Sequence, residues 1–578
     1  MDAIIGTGKI SKREYEIRAL RNASVPMSDG VNIDVDIYLP DAKGKFPALL
    51  ALSPFNKEIQ SEHIWPASTR SRRIRGIPDA CLEVAYTDFY VRRGYINIIG
   101  NVRGTGRSGG EYTYLSPREI RDTYEVIEWA AKQPWCDGNI GMTGLGYYAA
   151  HEPMVAVLQP PHLKAIAPIG AFWDNYRQFW WPGGLLAHGF LRWLVSLVNF
   201  DLHTEKSVLR EELGEKGYCE AIARALADKD ISAVPPLVDA LQNPDTLGNV
   251  NFLDIVLHPT VSKYWLERTI DFDKIKVPTY LGAAGHRPGG FYHWADLKVP
   301  KKLIFFPPSY TDRPFYQLSW ELLRWFDYWL KGIDTGIMEE PAVKIFVPGS
   351  NEWLMANDFP VPGTKWIPFN LHENRSLCEI EPWPEAGSAS YDDAPNSRGF
   401  LKYYSAPMVE NTEIAGAIVL NLYASCRGTD MNLFASLWDA DPDGKETCLT
   451  RGQLKASHRE LDPEQSKFWL PVPKHSNPKP LVPGRIYQFS INLYPTANLY
   501  RAGHRILLKV SSADDPPVNL YDMGHDHLCS QTPNTITVYH DARYPSHLLL
   551  PITRGNIVGT YVSGGDISLK TKQFMKLE

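Results

Sequence analysis

The stretch that decides the fold is residues 139–153, "NIGMTGLGYYAAHEP". Its first half is short and apolar, as a buried strand is. Its second half is a helical run, and the junction between them reads Gly144-Leu145-Gly146-Tyr147-Tyr148. A strand that turns at once into a helix is the setting of the nucleophile elbow, G-x-S-x-G, which lifts a serine hydroxyl above the end of a sheet. Here the serine position holds Gly146. The turn is spelled out and its nucleophile is not.

Working outward, the flanks alternate strands and helices. "EYEIRALRNASVPMSDGVNIDVDIYLP" (14–40) alternates apolar and polar residues about a Ser28-Asp29-Gly30 turn, the pattern of a β-hairpin. "FPALLALSP" (46–54) and Ile96–Gly100 read as buried strands, "REIRDTYEVIEWAAKQP" (118–134) as a helix stopped by Pro134, and "LKAIAPIG" (163–170) as the next strand. This alternation predicts a parallel sheet covered on both faces. From about 172 to 265 it gives way to an aromatic-rich helical insertion, then returns in "IKVPTYLGAAG" (275–285), "KKLIFFPP" (301–308) and an amphipathic helix in "YQLSWELLRWFDYWLKGID". After Thr335 the chain becomes short strands between Pro/Gly turns, an all-β sandwich or jelly roll. The expected organisation is 1–171 and 266–335 as one α/β unit, 172–265 as a helical cap inserted in it, and 336–578 as the β domain.

Bulk composition narrows the function classes. The 578 residues carry a net charge of −6 with acids and bases interspersed, which argues against nucleic acid or an anionic membrane as partner. No stretch is apolar for long enough to cross a bilayer, and the N-terminus lacks a secretory core. The seven cysteines are scattered and form no C-x-x-C pair, so neither a disulfide framework nor a zinc site is signalled. A cytoplasmic location is expected, with no cofactor, no metal and an apolar small molecule as substrate; a homodimer is compatible with the sequence. "RGTGRSGG" (103–110) lacks the Lys-Ser/Thr of a phosphate loop, and "HDHLC" (525–529) has no second cluster at ligand spacing.

Several stretches together resemble the cocaine esterase and Xaa-Pro dipeptidyl-peptidase family. They are "RGTGRSGGEY" (103–112), "IEWAAKQPWCDGNIGMTG" (127–144), "LKAIAPIG" (163–170), "HPTVSKYW" (258–265), "PAVKIFVPGSNEW" (341–353) and "YRAGHRILLKVSSAD" (500–514). The resemblance implies an α/β-hydrolase domain, a helical cap and a C-terminal jelly roll, with the site where the three meet. It also implies a Ser-His-Asp triad. This chain departs from it at every element. Gly146 stands at the nucleophile, Pro288 or Gly289 in "AAGHRPGGF" (283–291) at the acid, and Tyr310 in "FPPSYTD" (306–312) at the histidine. Phe55 in "SPFNK" (53–57) replaces the oxyanion tyrosine.

These departures lead to the expectation of non-hydrolytic chemistry: cyclisation, cycloaddition, isomerisation or elimination on an apolar secondary metabolite. The alternatives are an ester or amide hydrolase with a rearranged site, and an inactive binding or scaffold protein. The candidate catalytic residues are Tyr147, His151 four residues along the same helix face, and His286 and Tyr310 in the loops that hold acid and base in the family. His151 reads more readily as a hydrogen-bonded core histidine, and His293 is a weaker candidate. Gly146, Phe55, Trp173, Tyr176, Trp180 and Trp181 are candidate substrate contacts, although an aromatic stripe of this kind is more often core. Lys57 could meet an anionic group, against the default of a surface lysine.

Overall fold

A computed structural model describes residues 9–60, 83–187, 189, 207–246, 251–283, 289–307, 318–385, 387–394, 397–514 and 533–555. His286, Pro288, Tyr310 and the 525–529 cluster lie outside the described residues.

The first body is a ten-stranded mixed sheet. Its strands are β1 (Ile17–Pro26), β2 (Asn32–Pro40), β3 (Phe46–Ser53), β4 (Ile96–Asn101), β5 (Cys136–Leu145), β6 (Leu163–Ile169), β7 (Thr279–Ala283), β8 (Lys301–Phe305), β9 (Val343–Val347) and β10 (Glu352–Ala356). They lie in the order β1-β2-β4-β3-β5-β6-β7-β8-β9-β10. The hairpin β1–β2 enters antiparallel, β4 through β9 run parallel, and β10 turns back on β9. Strands β3 to β8 are almost wholly buried, as a sheet covered on both faces requires. β7 begins only at Thr279, because Pro278 has no N–H for the ladder.

The two covering layers follow from sequence pattern. The helix Pro117–Ala131 starts at Ser116, whose hydroxyl accepts from the Glu119 N–H at 3.3 Å, with Pro117 in the first turn. The helix Tyr147–Val157 is buried on all sides through Ala156, its His151 and Glu152 included. The closing helix Ser319–Lys331 buries Leu322, Leu323, Trp325, Phe326 and Leu330, and ends at Gly332 with φ 65°. Each of these large side chains contributes about 1.5–3 kcal/mol on burial.

Between β6 and β7 the chain forms the helical insertion, whose described residues include a helical stretch over Val208–Ala227 kinked at Gly214. The C-terminal body is an antiparallel sheet system whose longest strands, Thr412–Cys426 and Tyr487–Tyr500, pair along most of their length. Its core is separate, built on residues such as Phe369, Leu420, Leu437 and Leu508. The chain is thus an α/β-hydrolase-type domain with a C-terminal jelly roll. Strands β9 and β10 lie after Thr335 yet complete the first sheet.

Candidate active site

The elbow forms as the sequence spells it. Gly146 sits between the end of β5 and the first turn of the Tyr147–Val157 helix at φ 62°, ψ −112°, a conformation that glycine alone adopts without strain. Its N–H donates to the Ile169 carbonyl at 3.3 Å, and its carbonyl accepts from Ala150 N–H at 2.9 Å. Gly144 is required for a different reason: a Cβ there would lie 2.2 Å from the Cβ of Tyr148. The first N–H groups of the helix have no partner one turn earlier and form its positive end. Free N–H groups at a helix head are the kind of donor on which an oxyanion can rest in acyl transfer.

Behind the elbow lies a buried polar cluster. The Tyr147 hydroxyl donates to Glu119 Oε1 at 2.7 Å and accepts from Leu115 N–H at 3.1 Å. The Tyr112 hydroxyl donates to it at 3.3 Å. His151, fully buried, places Nε2 2.9 Å from the same Glu119 oxygen. Burial first, then the Glu119 charge, holds the Tyr147 phenol far above its usual range, so it stays protonated. The spacing of four brings Tyr147 and His151 together as expected, but around a carboxylate and away from open space. Glu119 is the residue that sequence reading missed. Its one signal is its place three residues after Ser116 in a capping pattern, which announces a helix start and nothing about burial.

The aromatic candidates divide. Phe55, Tyr147, Tyr114 and Trp180 form a continuous edge-to-face chain, with centroid separations of 6.2, 5.7 and 5.6 Å, linking the first sheet to the insertion. Tyr176 and Trp181 stack on each other at 6.4 Å and donate to the carbonyls of Pro259 and Ile255. Trp173 stacks on Phe272 at 5.3 Å. All four insertion aromatics are buried packing residues. At Gly289 a Cβ would lie 2.3 Å from the Ala171 carbonyl oxygen, so this backbone admits no carboxylate side chain there. Lys57 is no surface residue. Its ammonium is buried between Asp34 and Asp36 at 3.0 and 2.6 Å and donates to Asn22 at 2.7 Å. Among the described residues no cluster of three or more His, Cys, Asp or Glu is arranged to hold a metal, and no helix is long and apolar enough to cross a membrane.

His293 lies elsewhere, on a cavity of about 320 Å³ where the insertion, the segment after β7 and the C-terminal domain meet.

Comparison with known proteins gives the family context. A model of the X-Pro dipeptidyl-peptidase (S15 family) matches residues 29–305, and a model of the X-Pro dipeptidyl-peptidase C-terminal non-catalytic domain matches residues 335–549. The cocaine esterase of Rhodococcus sp. is 26% identical, over 92% of this chain and 98% of its own length. Among solved structures, a CocE/NonD family hydrolase from Staphylococcus aureus superposes with a TM-score of 0.75 at 25% identity, covering 93% of this chain and 94% of that one. An aminopeptidase from a marine sediment archaeon superposes at 0.71 with 18% identity, covering 95% and 99%, a likeness of fold alone.

These matches overturn the expectation of a non-hydrolytic enzyme. They point to hydrolases, and nothing in them supports cyclase, isomerase or lyase chemistry or a place in secondary metabolism. The physical reason is that a missing serine hydroxyl does not remove the rest of the acyl-transfer frame. The elbow backbone and the donors at the helix end do not depend on that side chain.

Proposed function

Because the chain belongs to the cocaine esterase and Xaa-Pro dipeptidyl-peptidase family, we propose that it is an ester or amide hydrolase working from a rearranged site at the Gly146 elbow. The observation that carries this reading is the elbow itself: Gly146 holds φ 62°, ψ −112° at the head of a helix whose first N–H groups are free of helical partners. The substrate carbonyl oxygen rests on those donors. In this reading a water takes the place of the absent serine hydroxyl and attacks the carbonyl carbon directly. His286 takes the water's proton, the oxyanion collapses, and the C–O or C–N bond to the leaving group breaks. Tyr310 or the protonated His286 returns a proton to the departing alcohol or amine. The products are a carboxylic acid and an alcohol or amine, with no acyl-enzyme between them. An apolar acyl group suits the aromatic surroundings of the elbow. The free cysteines Cys136, Cys219, Cys378, Cys426 and Cys448 support a reducing, cytoplasmic setting.

The test is hydrolysis of p-nitrophenyl acetate and butyrate by the purified protein. Steady turnover above buffer, without an initial burst and lost in His286→Ala, is the expected result. A burst would mean a covalent nucleophile elsewhere in the site. Absence of turnover with both esters would sink the reading and leave a binding or scaffold role.

A further inference from the structure

Two of the units that wall the junction cavity are tied to each other by a side-chain contact at its edge. Gln178 sits in a wide turn of the insertion, Tyr176–Trp180. Its hydrogen bonds span five residues: Trp180 N–H donates to the Asn175 carbonyl at 3.0 Å and Trp181 N–H to that of Tyr176 at 2.8 Å. Turns of this kind are frequent at functional sites. His293 follows the short helix Gly289–Tyr292 in the segment after β7. Gln178 Nε2 and His293 Nε2 are 3.0 Å apart. Both residues line the cavity, which lies where the family resemblance places the site, so the tie belongs to that site's wall.

The neighbours dictate which atom donates. Gln178 Oε1 accepts from the N–H groups of Trp173 and Asp174, at 2.9 and 3.4 Å. Backbone N–H groups only donate, so the amide is turned with its NH2 toward His293. His293 Nε2 must then accept, and the ring proton sits on Nδ1, 3.0 Å from Asp296 Oδ2. The hydrogen bond from His293 outweighs burial and holds the Asp296 carboxyl below its usual range, which keeps that acceptor ionised. In this arrangement the imidazole is neutral. Its ring stacks on Phe272 at 4.5 Å and on Trp173 at 6.1 Å.

A second proton undoes the tie. An imidazolium donates from both nitrogens, so Nε2–H would face an NH2 group. Turning the amide over only exchanges this clash for one between the NH2 and the two backbone N–H groups. The charges around the ring pull both ways. Asp296 favours the second proton, while Lys298 and Lys301 of the same segment and Lys467 of the C-terminal domain oppose it. On the insertion, Asp174 and Arg177 offset each other at 2.7 Å. Beside Phe272, Asp271 is paired with Lys274 at 3.1 Å and Asp273 is exposed to solvent. Glu464 of the C-terminal domain completes the charged lining. Histidine is the side chain whose charge ordinarily changes between pH 5 and 8.

We infer that Gln178 and His293 form a pH-sensitive latch, which closes the insertion against the segment after β7 at neutral pH and releases it on acidification. The latch does not depend on whether the elbow hydrolyses esters.

The test reads the full chain and needs no turnover. Nitrogen shifts of 15N-labelled histidine, with the His293 signals assigned by their loss in His293→Phe, are expected to place the proton on Nδ1 at pH 8. Backbone hydrogen exchange over residues 173–181, corrected for its intrinsic pH dependence, is expected to quicken at least about fivefold from pH 8 to pH 5, as the loss of one hydrogen bond predicts. His293→Phe keeps the ring stack and cannot titrate, so its exchange should be fast at both pH values. In Gln178→Glu the carboxylate accepts from the imidazolium, so the acceleration should disappear. A proton on Nε2 at pH 8, exchange that ignores pH in the wild type, or an acceleration that survives in either variant would each overturn the inference. If one variant fails to fold, the other decides together with the wild-type tautomer.

Discussion

Lys57 shows how much a single residue's role depends on what faces it. Read alone it is a lysine after a strand; in the structure it is a buried cation between two carboxylates. Asp34 and Asp36 are two apart on β2, so both project from one face of the strand toward it. Removing one partner of a buried ion pair leaves an uncompensated charge, so Lys57→Met should destabilise the fold by about 3–5 kcal/mol in urea unfolding. The same cluster sets a pH dependence. Burial pushes the Asp36 carboxyl up, but Lys57, the Asn22 N–H and Arg21 outweigh it and hold it below the usual range. A lowered carboxyl stabilises the fold above its unfolded value, about pH 3.9, and that contribution fades as the pH falls through the folded value. The acid limb of the unfolding curve should therefore be shallower in Lys57→Met.

At the scale of elements, the strap Glu460–Lys474, folded back on itself by Asp462 N–H donating to the Val472 carbonyl at 2.7 Å, meets the turn it leaves through a pair of histidines. His458 in Ala456–His458 and His475 at the far end of the strap face each other Nδ1 to Nδ1 at 2.9 Å, both buried. One proton suffices for that contact. Burial, then the charge of Lys455, lowers His458 to about 4; burial, then His458 and Arg177, holds His475 well below the usual histidine range. The unfolded chain therefore binds more protons than the folded one between about pH 6.5 and 4, so stability is full above 6.5 and declines as the pH falls through that window. Each histidine contributes a slope of up to about 1.4 kcal/mol per pH unit. Thermal midpoints from pH 8 to 4.5 should drop below pH 6.5, and His458→Gln should flatten the drop; an unchanged profile would remove the pair as its cause.

For the whole molecule, the architecture was legible because it rests on periodicity and turn signals. The β1–β2 hairpin, the elbow strand and helix, and the closing helix all lie within a few residues of their expected places. The site was less legible. Spacing put Tyr147 beside His151, yet the carboxylate between them comes from Glu119, a helix away, and only packing decides that. The lining of the junction cavity was legible only in part, through the resemblance and His293, for the same reason. Its walls come from three stretches separated by more than a hundred residues, and none carries a local pattern. The change to short strands after Thr335 was read correctly, but β9 and β10 answer to the neighbour they pair with and not to their own composition. Ending the chain after Thr335 would strip β8 of its outer neighbour and bare a row of unpaired backbone groups. A 1–335 chain should aggregate on expression where the full chain stays soluble, and soluble, folded 1–335 protein would contradict this. The two halves that family models separate are thus stitched through a shared sheet. Cut where the family models part, the second half carries away a hem of the first half's sheet.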